Sequence, residues 1–349
     1  MKIHKPVIVL GAGASHGAKL EGNETPPLDA DFLSVAAGLL NRLHPRGENK
    51  ERVTAWKNFK RHLKSAGLEF EEVKSWRLEQ LSTFLEARSG LKGLQLSAGR
   101  PREYVQALEA LKVIVCHVLL ATGGDGPCRF HRMLIDAVKP KAILTFNYDL
   151  IVDQTLLQVG KLNWRNYSYR GAKVVRVPSK SGGSYFKPLK SSKMRGSIPL
   201  IKLHGSIHWE KLRRGEGHRL SGVLLPESGR ERFEVQAVSE HPYLIPPVAA
   251  KVEIKDRVLR NCWYAAVAEL HDVPTWIIWG YSFPQTDTIS QVLFRTALVR
   301  NRKPKRVVVV NPDQSVSTRV EEVCRKVRVS HFASIESLLF DMGVLANGE

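Results

Sequence analysis

The chain has 349 residues, 43% hydrophobic and 25% charged, with 53 lysines and arginines against 34 aspartates and glutamates. That balance excludes a disordered, collagen-like or disulfide-scaffold chain, and as a prior it fits about two domains or one large α/β domain with insertions. The net charge of +19 points to a polyanionic partner, such as a nucleotide, nucleic acid or an acidic protein surface, and says little about fold.

Cys116, Cys128, Cys262 and Cys324 lie far apart and form no CxxC pair. Neither a four-cysteine zinc module nor a redox motif is expected, and no metal ligands are assigned. A disulfide framework is not expected in a chain of this size, so a reducing, cytoplasmic setting is expected. No apolar run approaches the ~20 residues that span a bilayer, so no membrane association is expected. The start, Met1 to Leu10, is basic and then apolar. Its apolar run is too short for a signal peptide, and Gly11 to Ser15 suits a phosphate loop better than a cleavage site.

In chain order, Val7 to Leu10 runs into Gly11-Ala12-Gly13-Ala14-Ser15, and Ala142 to Phe146 into Asn147-Tyr148-Asp149. Trp276 to Trp279 runs into Gly280-Tyr281-Ser282, and Val307 to Val310 into Asn311-Pro312-Asp313. Continuous apolar runs, unlike alternating ones, predict strands buried on both faces of a parallel sheet. Ligands of such sheets sit at the carboxyl ends of the strands, where each of these polar clusters falls. Between the first two strands the pattern is helical. Tyr104, Leu108, Leu111, Val115 and Val118 form one stripe, after Pro101 near a helix start, and Leu81, Phe84 and Leu85 form a second. The tail predicts a last strand from Val327 to Phe332 and a helix from Ser334 to Leu339.

The expected fold is therefore α/β, a Rossmann-like parallel sheet with a helical insertion and a basic, β-containing insertion. One domain spans residues 1–349, with a core of roughly 1–30, 136–160, 196–210 and 270–349. The helical insertion covers roughly 31–135, the basic insertion roughly 161–195, and a further insertion segment roughly 211–269.

Each polar cluster has two readings. A glycine-rich turn after a buried strand lets backbone N–H groups approach a pyrophosphate, or is simply a tight strand-to-helix turn. Here His16 stands where the third glycine of GxGxxG would be, and no acidic residue follows at the usual ribose distance. Asn147 and Asp149 can hold ribose hydroxyls or a water, or form an Asx-turn or helix cap. His204, beside Gly205 at a predicted strand end, can be a general base, or one of the surface and packing residues among 12 histidines.

Order along the chain adds what the single motifs lack. Gly11 to Ser15, Thr145-Phe146-Asn147-Tyr148-Asp149, Leu203-His204-Gly205, Gly280-Tyr281-Ser282-Phe283 and Val309-Val310-Asn311 together resemble the sirtuin catalytic domain. They are most similar to its divergent bacterial branch, the sirtuin-like (Sir2-like) NAD-hydrolase domain of antiphage defence systems. TFNYD stands for the TQNID of sirtuins, and GYS for their GTS. The resemblance implies that NAD+ is bound and cleaved at its nicotinamide N-glycosidic bond. Gly11, Ala12, Gly13, Ala14 and Ser15 would hold the pyrophosphate. Asn147 would position the nicotinamide ribose and the attacking water, and Asp149 would hydrogen-bond near the nicotinamide pocket or ribose. His204 would be the base on a ribose hydroxyl, while Gly280, Ser282 and Asn311 would line the adenosine side. Two departures matter. The zinc module of sirtuin deacetylases is absent, so no zinc is expected. His241 to Pro247 stands where their acyl-peptide segment would be, so water is the favoured acceptor.

The stretch from Lys161 to Lys202 holds eleven lysines and arginines and no carboxylate, interleaved with Trp164, Tyr167, Tyr169, Tyr185 and Phe186. Such a composition suits nucleic acid, a protein docking face or a solvated basic surface. The expectation is an NAD+ hydrolase (NAD+ glycohydrolase) releasing nicotinamide and ADP-ribose, a homo-oligomeric defence effector controlled by a separate sensor or ATPase protein. The alternatives are a non-catalytic module binding NAD, ADP-ribose or nucleic acid, and an NAD-dependent protein deacylase or ADP-ribosyltransferase.

Overall fold

The computed structural model describes residues 1–17, 25–47, 49–90, 100–123, 128–160, 172–174, 184–188, 198–211, 218–220, 222–227, 230–235, 238, 241–247, 256–271, 273–300, 306–325 and 327–346. For residues 172–174, 184–188, 211, 218–220, 222–227, 230–235 and 300 only the backbone is described. Strand β1 (Val7–Leu10) leads into the short helix α1 (Ala12–His16). A helical layer follows: α2 (Phe32–Asn41), α3 (Asn49–Ser65), α4 (Phe70–Val73), α5 (Leu78–Gly90), α6 (Pro101–Thr122) and α7 (Arg129–Val138). Next come β2 (Ala142–Thr145), α8 (Ile151–Gln158), β3 (Ala172–Val174), β4 (Ser184–Pro188), β5 (Leu200–Lys202), β6 (Gly205–Lys211), β7 (His218–Leu220), β8 (Gly222–Glu227), β9 (Arg230–Val235) and β10 (Pro242–Leu244). The chain ends with α9 (Arg257–His271), β11 (Thr275–Trp279), α10 (Thr288–Arg300), β12 (Arg306–Val310), α11 (Ser315–Val323), β13 (Arg328–Phe332) and α12 (Ile335–Asp341).

The core is a six-stranded sheet in the order β13-β12-β11-β1-β2-β5, with every neighbouring pair parallel. The apolar runs at Val7–Leu10, Ala142–Leu144, Trp276–Trp279 and Val307–Val310 are buried throughout. This burial on both faces is why their sequences do not alternate. The chain steps outward from β1 through β2 to β5, then returns to the far side of β1 through β11, β12 and β13. The reversal lies between β1 and β11, the position where open α/β sheets form their ligand crevice. A second, antiparallel sheet runs β10-β6-β7-β4-β3, and β8 pairs with β9 as a hairpin. The β-containing insertion is thus present as β3 and β4, while the rest of 161–195 lies outside the described residues.

In the helical layer, α6 opens with Pro101 in its first turn and buries Tyr104, Leu108, Leu111, Val115 and Val118, the stripe expected from sequence. It packs on α3 and α5, and Trp56 of α3 meets Phe70 of α4 edge-on at 4.9 Å between ring centroids. Among the described residues α6 is the one helix long and apolar enough to cross a membrane, and half of that stretch is buried inside the fold. Glu109 and Lys112, joined by an ion pair at 2.6 Å, interrupt the apolar sequence, so no unbroken run shows there.

Helix α9 departs from the expected boundaries. Residues 211–269 read as an insertion, yet α9 is the crossover that feeds β11. Its Trp263 indole N–H donates to the Leu203 carbonyl at 2.9 Å, which ties it to the end of β5. The apolar spacing of Val258, Leu259, Cys262, Trp263, Ala266 and Leu270, all buried, is helical, and its only polar buried member is Glu269.

The turns after β1 and β11 touch backbone to backbone. A Cβ on Gly280 would lie 2.0 Å from the Ala14 nitrogen, and Gly280 has φ +66°. Gly343 has a similar φ of +72° with nothing within 4 Å of the added carbon. Left-handed backbone alone costs an L-residue about 1–2 kcal/mol. Gly343→Ala should therefore lose about that much, whereas Gly280→Ala should lose at least about 3 kcal/mol because backbone cannot yield. Urea denaturation of the two variants checks this, and equal losses would contradict the steric account.

Candidate functional site

Parallel pairing brings the motif segments to one level. Leu10 pairs with Thr145 and with Trp279, Thr145 with Lys202, and Trp279 with Val310. Gly11, Gly280 and Asn311 are therefore each one residue beyond matched strand ends. Asn147 and His204 are each two residues beyond the matched pair Thr145 and Lys202. The Leu203 N–H donates to the Thr145 carbonyl at 2.9 Å, extending the pairing almost to the two residues themselves.

A buried polar cluster joins three of these segments. The Asn147 Nδ2 group donates to the Gly11 carbonyl and to Ser15 Oγ, both at 2.9 Å. The Ser15 hydroxyl donates to Asp149 Oδ2 at 2.7 Å. Asp149 Oδ1 accepts the Ile151 N–H at 3.1 Å, so the Asx-turn reading of this tripeptide holds alongside the cluster. The Lys202 ammonium donates to the Asp149 carbonyl at 2.6 Å and to Asp153 Oδ2 at 2.9 Å. Burial pushes the Asp149 carboxyl above the usual range, against the opposing pull of Lys202, Ser15 and the Ile151 N–H.

Aromatic rings enclose His204. Phe146 meets it edge-on at 5.2 Å, Trp263 lies at 6.1 Å and Tyr148 at 6.3 Å. Phe146 also stacks on Tyr281 at 4.3 Å, whose hydroxyl donates to Asp287 at 2.7 Å. Tyr148 donates to the Ile245 carbonyl, and the Ile245 N–H donates to the His204 carbonyl at 2.9 Å. Ile245 of the segment 242–247 is thereby bonded to both Tyr148 and His204.

The glycine-rich turn is occupied by the chain itself. The N–H of Gly11 donates to the Trp279 carbonyl at 3.0 Å, that of Gly13 to Gly280 at 2.9 Å and that of Ala14 to Gly11 at 2.9 Å. A Cβ on Gly11 would fall 2.4 Å from the Tyr281 Cα, so packing between the two turns already demands glycine there. Ala12 is exposed and Ser15 buried. On the far side, Asn311 Oδ1 accepts the Asp313 N–H at 2.9 Å. Exposed Ser282 offers its carbonyl to Arg319 at 3.0 Å, and Arg319 also pairs with Asp313 at 3.1 Å.

The structure thus gathers Ser15, Asn147, Asp149 and His204 around the ends of β1, β2 and β5. It sets Gly280, Ser282 and Asn311 at the ends of β11 and β12. One expectation is corrected. Lys202 closes the basic stretch in sequence but is 1% exposed and engaged by Asp153, so it belongs to the core and not to a polyanion-binding face. The other cations of that stretch lie outside the described side chains. Sequence reasoning also missed Tyr148, Trp263, Tyr281 and the Lys202–Asp153 pair. A lysine two residues before His204 on a buried strand was the available signal. The four cysteines are free and buried. Burial raises the thiols of Cys128 to about 11 and of Cys262 and Cys324 to about 12, which suits packing and not nucleophilic chemistry. Among the described residues no group of three histidines, cysteines or carboxylates is placed to hold a metal ion.

No family model and no curated protein matches the chain. Among solved structures it is similar to a Sir2 homologue in complex with NAD, at 12% identity and a TM-score of 0.45, covering 97% of this chain and 87% of that one. It is also similar to a structure described for the mechanism and regulation of Sir2 enzymes, at 13% identity and 0.42, covering 98% and 92%. A third is a Sir2 homologue variant bound to 2'-O-acetyl ADP ribose, at 11% identity and 0.40, covering 97% and 90%.

Three imidazoles near the sheet are buried and held neutral. Burial lowers His131 to about 3 and, with Arg52, His117 to about 4. Burial and then Lys202 push His208 well below its usual value. In the unfolded chain each takes up a proton near its ordinary value of 6.5. Stability is therefore full above that pH and falls as pH drops towards 4, by up to about 1.4 kcal/mol per pH unit for each histidine. Asp149 works the other way, one carboxyl against three imidazoles. Urea unfolding from pH 7.5 to 4.5 should show the loss. His131→Phe, which keeps a ring against Trp279 (4.6 Å), should flatten the slope by about one proton. A pH-independent midpoint would refute this reading.

Proposed function

We propose that the chain cleaves the nicotinamide N-glycosidic bond of NAD+ with water, giving nicotinamide and ADP-ribose. The observation that carries this reading is the placement of Asn147 and His204. They leave adjacent parallel strands at the same level, beside a buried Asn147–Ser15–Asp149 cluster and the chain reversal of the sheet. The order of the sirtuin-like motifs supports it as well.

The chemistry follows from the groups present. The C1′–N bond breaks, and its electron pair moves onto the nicotinamide nitrogen, which leaves as a neutral base. The ribose carbon passes through an oxocarbenium-like state. Water oxygen bonds to that carbon, and its proton passes to His204. The NH2 group of Asn147 is committed to Gly11 and Ser15, which leaves Oδ1 as the acceptor for the water or a ribose hydroxyl. The rings of Phe146, Tyr148 and Trp263 around His204 suit a cationic pyridinium, because an aromatic face attracts positive charge. Depletion of the cellular NAD+ pool in antiphage defence, released by a partner protein, is the physiological role this reading carries.

A binding-only module is the second reading. Incubating the protein with NAD+ and measuring nicotinamide and ADP-ribose, alone and with an acetylated peptide, separates hydrolase, binder and deacylase. His204→Ala should lower cleavage on the order of 10² or more, the usual worth of a general base. Asn147→Ala should do likewise. It should also lose about 1–3 kcal/mol of stability, since its partners are left buried and unmade. A folded His204→Ala protein with full turnover would overturn the assignment.

A further inference from the structure

Helix α3 buries Val53, Trp56, Phe59 and Leu63 in the helical layer. Its opposite face carries Lys50, Thr54, Lys57, Arg61 and Lys64, all exposed. Their spacing, i, i+4, i+7, i+11 and i+14, keeps the five on one line of the helix. At 1.5 Å per residue that line is about 21 Å long. The Thr54 hydroxyl is turned back onto the Lys50 carbonyl at 2.8 Å. Glu51, the carboxylate of α3, stands about 100° off the line. Among the described residues no carboxylate pairs with Lys50, Lys57 or Arg61, and Lys64 meets Glu69 at 3.3 Å with both side chains well exposed. Arg42 and Arg46, exposed on the turn that leads into α3, carry the positive charge past its N-terminus.

Folding does not account for this arrangement. Lys50, in the first turn, opposes the helix dipole. Lys57, Arg61 and Lys64 are like charges at i,i+4 and i,i+3 spacing, which destabilises a helix. A helix built for its own stability would alternate the signs along such a face.

The chemistry of the line selects among polyanions. Protein interfaces draw their energy from aromatic, Met and Arg anchors and are poor in lysine. This line holds three lysines and no apolar side chain. Single-stranded nucleic acid is held by bases stacked on aromatic rings, and the rings of α3, Trp56 and Phe59, are 2% and 0% exposed. A duplex needs neither feature. It offers about one phosphate charge per 1.7 Å of axis, so a straight line of cations meets several phosphates in any register.

We propose that the outer face of α3 binds the phosphate backbone of a double-stranded nucleic acid without reading its sequence. None of its residues belongs to the cluster around Asn147 and His204, so this surface stands apart from the NAD+-cleaving reading.

The test measures binding of a two-turn DNA duplex, the matching RNA duplex and the single DNA strand by fluorescence anisotropy at several salt concentrations. Wild type should bind the duplexes more tightly than the strand, with log K falling linearly against log salt. Lys57→Ala/Arg61→Ala/Lys64→Ala leaves the buried face of α3 intact. It should lose at least about tenfold in duplex affinity at ~0.1 M salt and about 2–3 units of slope, near 0.9 for each lost contact. The three single changes, all at exposed positions, should each lower the slope by about one unit. Arg129→Ala/Arg260→Ala/Arg325→Ala removes three exposed cations of other segments and should keep the wild-type slope. Equal losses in the two triple variants would make the attraction one of net charge and overturn the assignment to α3. Tighter binding of the single strand, or no duplex binding by wild type, overturns it as well. So does an α3 variant that binds the duplexes like wild type, and if that variant loses binding to poly-glutamate instead, the face docks an acidic protein. A preference between the DNA and RNA duplexes identifies the ligand and supports the proposal.

Discussion

The contact between the turns after β1 and β11 is the constraint on which the remainder depends. The chain reverses there, and the two halves of the sheet meet with no side chain between their backbones. Gly13 donates to Gly280 and Gly280 to the Val310 carbonyl, both at 2.9 Å. A Cβ at Gly11 or Gly280 would strike backbone at 2.4 or 2.0 Å. Every candidate residue is held at a fixed height relative to this joint, because each leaves a strand whose register is set by direct or relayed pairing with β1. The glycines that look like a phosphate loop are thus required by packing first. Any role towards a ligand is added to that requirement, so the functional weight falls on side chains whose packing role is weaker.

Those side chains form a polar island in an apolar sheet. Asn147, Asp149 and Ser15 are each under 10% exposed, and such groups are costly unless they are bonded. The island meets that demand through mutual bonds and through the Lys202 ammonium. Closing the island internally has a consequence for chemistry. It fixes which atoms remain for a ligand, and in Asn147 the amide oxygen is that atom. A more loosely satisfied cluster would leave buried polar groups unpaired at a cost in stability and would not fix orientation.

Strands β1, β2, β11 and β12 of the central sheet could be read closely from sequence, because burial on both faces leaves an unmistakable apolar run, whereas the part-exposed β13 carries none. Ala142 to Phe146 and Val307 to Val310 needed no further context. The helical layer could be read from the stripe on α6. Helix α9 could not, since it follows a segment of short β pieces and its buried face includes Cys262, Trp263 and Glu269, which dilute the apolar signal. Asn147 and His204 were legible by order. Their being level with each other was not, because that depends on β5 pairing beside β2, a long-range choice that local pattern does not encode. Lys202 was misread for the same reason. A lysine at the end of eleven cations looks like surface, and only the approach of Asp153 from α8 places it inside.

The separation of Asn147 and His204 is fixed by three ties of different kinds. The first is strand pairing, which ends at Leu203 N–H on the Thr145 carbonyl at 2.9 Å. The second is the Lys202 ammonium on Asp149 and Asp153. The third is the 242–247 strap, joined to Tyr148 through its hydroxyl and to His204 through its backbone. The Tyr148 carbonyl adds to these, accepting the Ile207 N–H at 3.0 Å and the Ser206 hydroxyl at 3.1 Å. Asn147 and Asp149 both bond Ser15 while Tyr148 bonds Ile245, so one tripeptide serves the cluster and the strap together. Two residues tied in this way hold a fixed geometry before any substrate arrives, and a reaction that needs a water and a base aligned on one carbon gains from alignment made in advance. A module that only bound a dinucleotide would draw no rate from such ties, whereas on the proposed hydrolytic reading they would set the base and the amide in place in advance.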